Sequence, residues 1–216
     1  MSKLINTTRS ERLREASSQR REHEKQELRE AILKAASELF LEQGYDRFSL
    51  RQVAERIGYS ATTIYLYFKD KDDLLFTIVD QGFVQFGQRL EQAAASTTDP
   101  MKRIAAIGRA YIAFGLQNPG HYQLMFMQRF DFLSGCRPGE ETPRIDSFNI
   151  LQQTVQQALD AGVLRPGDVQ SYSDTLWATV HGLVALAIAT PMLDPERLQQ
   201  AMDVAFTMIY EGLRQR

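Results

Sequence analysis

Thr62, Thr63, Tyr65, Leu66 and Tyr67 stand within barely two helical turns of one another, while Ile64 and Phe68 between and after them share one face at i, i+4 spacing. If the apolar pair faces a core, the other five side chains point outward. Threonine hydroxyls donate to a phosphate or a base edge and pack a methyl against thymine, and a tyrosine hydroxyl reaches a phosphate from a stacked ring. Upstream, Ser49 and Arg51 supply a further hydroxyl and a guanidinium, and Ala61 and Lys71 flank the segment. This is chemistry for a nucleic-acid surface. A second group is Trp177 and His181, four residues apart on one helix face, with Tyr111 and Tyr122 as further polar-tipped aromatics among Phe114, Met125 and Phe126. Such side chains between helices suit a pocket for a small, partly apolar effector. Gly182, next to His181, offers room for another helix to approach.

The elements that must hold these residues are helical throughout, because the apolar periodicity is 3.6 and no alternating run bounded by turn signals is found. A first helix is predicted over residues 24–43, with Leu28, Ile32, Ala35, Ala36 and Leu39 on one face and Gly44 as its stop. Residues 1–23 read as a mobile basic arm without a core face. Ser49-Leu50-Arg51-Gln52 opens a second helix as a capping box, the glutamine returning to the serine N–H, with Leu50, Val53, Ala54 and Ile57 buried. Gly58-Tyr59-Ser60 breaks it, and Ser60 caps a short helix over 61–68. Asp70 caps a fourth helix over 71–95, with a stripe from Leu74 and Leu75 through Ile78, Val79, Phe83 and Phe86 to Leu90. Beyond a loop at 96–100, helices are predicted over 101–117, 119–130, 144–160, 168–189 and 195–213, punctuated by Pro and Gly. The predicted organisation is an arm at 1–23, a DNA-binding domain at 24–70 and a larger helical domain at 71–216, entered through helix 71–95. Whether 131–143 forms a lid is left open by the spacing.

Composition is that of a folded protein, with 44% hydrophobic and 24% charged residues in a chain of 216. The single cysteine excludes an intramolecular disulfide framework, and no run approaches a membrane span, so a cytoplasmic location is expected. The net charge of −2 hides an asymmetry: seven Lys/Arg against four acids in residues 1–25, and ten against thirteen in 91–216. A basic end beside an acidic remainder fits a nucleic-acid-facing N-terminus. His23, His121 and His181 lack metal-ligand spacing, and neither a nucleophile elbow nor a glycine-rich phosphate loop is present. No enzyme activity, metal or cofactor is expected.

Helix, three-residue glycine-containing turn and helix together make a helix-turn-helix, whose second helix enters the major groove. From Ile32 to Leu75 the chain resembles the tetracycline-repressor-like (TetR) family of transcriptional regulators. The likeness rests on Ala35-Ala36, Leu39-Phe40 and Gly44-Tyr45, then Ser49 to Ala54 with Ile57-Gly58, then Thr63 to Leu75. It implies a dimeric regulator with three N-terminal helices and a larger effector domain. Carried over by position, Ser49 and Arg51 are implied as backbone or groove contacts, Ala61, Thr62, Thr63, Tyr65 and Tyr67 as the recognition surface, and Lys71 as a phosphate contact. Ala61 and Leu66 depart from residues frequent in the family. Readout is therefore expected to fall on Arg51, the threonines, methyl contacts and DNA shape. Residues 111–126 and the run Trp177 to Gly182 are similar to a Trp-His-Gly sub-group of TetR effector domains.

The resulting expectation is a homodimeric repressor on double-stranded DNA with a palindromic operator, released by a small effector. Dimerisation is expected through the last two helices, where Val180, Leu183, Val184, Leu186 and Ala187 face Leu198, Met202, Ala205, Phe206, Ile209 and Leu213. An enzyme and a protein-binding adaptor built on the same motif are the alternatives.

Overall fold

The computed structural model describes residues 9–127, 143–190 and 193–215, and every regular element among them is helical. Helix α1 spans Arg9–Arg47. From residue 9 onward the expected arm is therefore corrected: residues 9–23 continue the helix, as their glutamate, arginine, glutamine and alanine content favours. The periodicity missed it because the described side chains offer no core face: from Arg14 to Glu27 all but Ser17 are exposed. Residues 1–8 lie outside the described part. Gly44 breaks the helical geometry at φ 73° and ψ 175°, a conformation that only glycine adopts freely, and redirects the chain at the point the sequence indicated.

The chain divides into two compact units, Met1–Leu75 and Phe76–Arg216. The division falls five residues into the fourth helix, α4 (Lys71–Ala95).

In the first unit, α2 (Leu50–Ile57) and α3 (Ala61–Tyr65) follow α1. Ile32, Ala36, Leu39 and Phe40 of α1 are buried together with Phe48, Leu50, Val53 and Ala54, and Ile64, Phe68, Leu74 and Leu75 complete the core. Burying each large apolar side chain contributes on the order of 1.5–3 kcal/mol, which is what keeps a five-residue helix in place. Ile57, expected on the buried face, is only partly covered.

The second unit holds the rest of α4, then α5 (Pro100–Gln117), α6 (Pro119–Tyr122), α7 (Pro143–Asp160), α8 (Val169–Ala189) and α9 (Pro195–Leu213). Aspartates 99, 168 and 194 cap α5, α8 and α9 by accepting backbone N–H bonds, and Pro100 and Pro195 occupy first-turn positions that have no N–H to satisfy. The single helix expected over 119–130 is instead α6 followed by a π-helical turn, Gln123–Met127. Phe130 and the segment 131–142, with its lid question, lie outside the described residues. The C-terminal end is clipped to the α7–α8 connection by an isolated antiparallel bridge between Leu164 and Arg214.

Close approach in this unit depends on glycines other than Gly182, where an added Cβ would meet no neighbouring helix within 4 Å. Gly115 is the tight position: a Cβ there would collide with Val184 of α8 and stand 3.0 Å from the Tyr122 ring. Gly115→Ala is expected to destabilise the protein by about 1–3 kcal/mol through overpacking. Scanning calorimetry should show Tm lowered by roughly 2–10 °C; an unchanged Tm would mean that α5 and α8 do not close on this glycine.

Candidate nucleic-acid interface and ligand cavity

The first unit presents α3 through two capped turns. The Ser49 Oγ accepts the Gln52 N–H at 3.4 Å and donates to Gln52 Oε1 at 2.9 Å, while Gln52 Nε2 donates to Gln43 Oε1 at 2.9 Å. The glutamine therefore returns to the serine hydroxyl and not to its backbone N–H, because its amide is also engaged by α1. Gly58 terminates α2 at φ 74°, its N–H and that of Tyr59 reaching back to α2 carbonyls. Ser60 Oγ accepts the Thr63 N–H at 3.1 Å and shares a 2.9 Å hydrogen bond with Thr63 Oγ1.

With Ile64 and Phe68 buried, α3 leaves Thr62 exposed, Tyr65 59% exposed and Leu66 80% exposed, while Ala61, Thr63 and Tyr67 are half-buried. The helix is shorter than expected. It ends at Tyr65, and Leu66 and Tyr67 sit in a closing turn whose N–H groups bond to Thr63 and Ile64 carbonyls. Arg51 is exposed, and its Nε–H meets Glu55 Oε1 at 3.0 Å, an i, i+4 surface pair of the kind worth little to stability. Arg56 is held differently, by a two-pronged contact of 2.7 and 3.0 Å to Glu42 of α1. That hydrogen-bonded pair keeps the Glu42 carboxyl below its ordinary range and the arginine above its own.

Lys71, expected at a phosphate, is seated on the end of α1. Its Nζ lies 3.9 Å from the Tyr45 ring centroid and donates to the Tyr45 carbonyl at 3.3 Å. The Tyr45 hydroxyl donates to Asp72 Oδ1 at 2.6 Å, and this bond to a carboxylate, with partial burial, pushes its pKa up to about 12. Tyr45 thus anchors the start of α4, a role that its place beside Gly44 signalled only as a helix end.

The second unit encloses a cavity of about 620 Å³. Phe83 and Phe86 of α4, Gly108 and Tyr111 of α5, Met125 and Phe126 of the π turn, Phe148 of α7, Trp177 and His181 of α8 and Phe206 of α9 stand on its wall. A wider turn re-aims successive side chains. Here Met125 and Phe126 both reach the cavity while Leu124 is fully buried. Gly82 lets Met125 approach, a Cβ there lying 2.6 Å from its sulfur, and Gly108 does the same for Phe206 at 2.8 Å.

Of the seven effector residues read from the sequence, Tyr111, Met125, Phe126, Trp177 and His181 line the cavity, whereas Phe114 and Tyr122 do not. Phe114 packs behind Phe86, with ring centroids 5.1 Å apart, and Tyr122 is fully buried. The Tyr122 Oη lies 2.6 Å from His181 Nδ1, 3.3 Å from the His181 carbonyl and 3.1 Å from Tyr111 Oη. Tyr111 Oη is also 3.1 Å from His181 Nδ1 and accepts the Trp177 indole N–H at 3.3 Å. Burial drives the Tyr111 pKa up to about 12, raises that of Tyr122 further and lowers that of His181, so all three are neutral at pH 7. Phe206 and Ile209, placed by spacing on the dimer face, are on the cavity instead, and Val180, Val184 and Leu198 are buried within the unit. Leu186, Val204 and Met208 remain exposed. Among the described residues no helix is long and apolar enough to cross a membrane.

Comparison with known proteins bears on both units. Residues 32–78 match the family described as bacterial regulatory proteins, tetR family, and residues 104–209 match the tetracyclin repressor-like C-terminal domain. The chain is 32% identical over 156 residues to the fatty acid metabolism regulator protein of Bacillus subtilis, covering 71% of this chain and 79% of that one. It is 35% identical over 88 residues to the HTH-type transcriptional regulator HbdR of an Aromatoleum strain, 41% of this chain and 38% of that relative, so there the match spans well under half of the relative's length. Its fold superposes with a TM-score of 0.71 on a transcriptional regulator FadR from Bacillus subtilis solved in complex with stearoyl-CoA, at 19% identity and with 84% and 97% of the two chains covered.

Proposed function

Since the chain belongs to the tetR family of bacterial regulatory proteins, we propose that it is a ligand-responsive repressor, acting in the cytoplasm and not an enzyme, that binds a palindromic operator as a homodimer. The observation that carries this reading is α3: a short helix fixed by a serine cap and two buried side chains, with Thr62, Tyr65 and Leu66 turned to solvent. A two-fold dimer presents two such helices to half-sites about one DNA turn apart. Arg51 and the hydroxyls of α3 make the base-edge and phosphate contacts, while Ser49 and Lys71 act mainly by holding α2 and α4 in register. The exposed basic residues along α1 add salt-dependent affinity.

The cavity of the second unit takes the effector, and its apolar wall suits an aliphatic or ring-based molecule. The Bacillus subtilis relative, whose name concerns fatty acid metabolism, makes aliphatic compounds the first class to screen. A ligand that prefers the state unable to bridge both half-sites releases the DNA in proportion to its differential affinity.

Selection of randomised duplexes by the purified protein, repeated at two salt concentrations, tests the reading. An inverted repeat enriched at both, with affinity falling as salt rises, is the expected outcome. Retention without any enriched sequence would argue for a protein-binding adaptor instead.

A further inference from the structure

We infer that His181 is a fixed hydrogen-bond donor in the cavity wall and that it selects an effector carrying an uncharged acceptor oxygen, such as an ester, thioester or ketone carbonyl, on an apolar skeleton. The inference rests on the reading of the cavity as the effector site. It follows from the donors, acceptors and distances in the cluster. The indole of Trp177 has a donor and no acceptor, so Tyr111 Oη accepts there and has one proton left to give. Tyr122 Oη likewise has one proton, and its shortest contact, 2.6 Å, is to His181 Nδ1.

The arrangement that gives the Tyr122 proton its shorter contact, 2.6 Å to Nδ1 against 3.3 Å to the His181 carbonyl, runs from Trp177 to Tyr111, from Tyr111 to Tyr122 and from Tyr122 to His181 Nδ1. Nδ1 is then an acceptor, and the ring proton resides on Nε2, the atom on the opposite side of the imidazole. Stacking on Tyr122, with the Trp177 and Phe126 rings within 6.0 Å, fixes the plane of the ring. The result is an oriented donor amid the aromatic part of the wall, apart from the amide and hydroxyl side chains of Asn149, Gln152, Gln170 and Tyr210.

The charge of the acceptor follows from the same surroundings. A carboxylate brought to this donor gives up its hydration for a neutral imidazole, and no lysine or arginine stands on the described wall to compensate it. A carbonyl oxygen loses far less on entry and recovers it in one hydrogen bond. The cluster therefore favours an ester over the corresponding acid and over a hydrocarbon of equal length.

Trp177 is the chain's single tryptophan and lies in the cluster, so its fluorescence reports occupancy directly. Wild-type protein is titrated with methyl decanoate, dodecane and decanoate. Methyl decanoate is expected to bind about tenfold more tightly than dodecane, the ratio that one neutral hydrogen bond confers, and more tightly than decanoate. In His181→Phe the ester and the hydrocarbon should bind alike. In His181→Gln, whose amide donates from nearly the same place, the ester preference should return; a merely structural histidine would not be rescued in that selective way. Ring nitrogen NMR of the free wild-type protein gives a second reading that needs no variant, and His181 is expected to show the Nε2–H form.

Equal affinities for ester and hydrocarbon in wild type, a preference that persists in His181→Phe, tighter binding of decanoate than of the ester, or an Nδ1–H ring would each overturn the inference while leaving the effector cavity standing. Failure of all three probes to bind would overturn the effector reading and the inference together.

Discussion

Arg51→Ala is expected to weaken binding to the selected operator about 10- to 100-fold, the range for losing an arginine that reads a base edge or phosphate. Mobility-shift titrations at several salt concentrations should also show a flatter salt dependence. The fold should survive, because the guanidinium is exposed and its bond to Glu55 is a surface pair. Glu55→Gln supplies the opposite sign: removing the carboxylate frees Arg51 and lessens repulsion of the phosphates, so affinity is expected to rise. Arg56, five residues on, is the contrasting arginine. Its contact with Glu42 ties α2 to α1, and Arg56→Ala should therefore lower thermal stability. Wild-type affinity in Arg51→Ala at low and high salt would remove this residue from the interface.

The double replacement Val204→Glu, Met208→Glu is expected to leave a folded monomer that no longer binds the palindrome. These side chains are 59% and 69% exposed, lie four residues apart on α9 and so share one face. In the proposed dimer a second copy places the same face against these two side chains and covers them, which satisfies two-fold symmetry. Carboxylates there would face each other across the axis and lose their hydration without gaining a cation. Without the dimer each half-site is bound alone, and the loss of the intramolecular second contact is worth about 100-fold or more in affinity. Light scattering coupled to size exclusion reads the mass, and mobility shift reads the DNA. A dimer of unchanged mass in the double variant would exclude this face as the interface.

These two predictions draw on different kinds of information. Arg51 and the α3 side chains were legible because a helix-turn-helix is local: the serine caps, Gly58 and the Ile64–Phe68 spacing lie within twenty residues, and each acts on backbone close by. The exposed face of α9 was only half legible. Spacing put Phe206 and Ile209 there with Met202 and Ala205, and the structure turns Phe206 into the cavity over Gly108, where a Cβ would stand 2.8 Å from its ring. An amphipathic pattern says that a side chain is covered, but not by what.

What the amino-acid sequence determined by itself is the all-helical class, the position of most helix ends, the helix-turn-helix with Thr62, Tyr65 and Leu66 outward though not Thr63 and Tyr67, which are half-buried, and a second half rich in aromatic side chains. These follow from period, caps and glycine, whose effects reach only a turn or two along the chain. Tertiary structure alone decided that Tyr122 stands behind the cavity and not in it, that its hydroxyl meets a histidine 59 residues away, and that Arg51 projects to solvent while Arg56 is clasped by α1. It also decided that the chain from Gln123 to Met127 widens into a π turn, which brings both Met125 and Phe126 to the cavity. The physical reason is common to all of them: a hydrogen bond or ring contact between distant segments depends on how whole helices pack, and residue spacing carries no record of that.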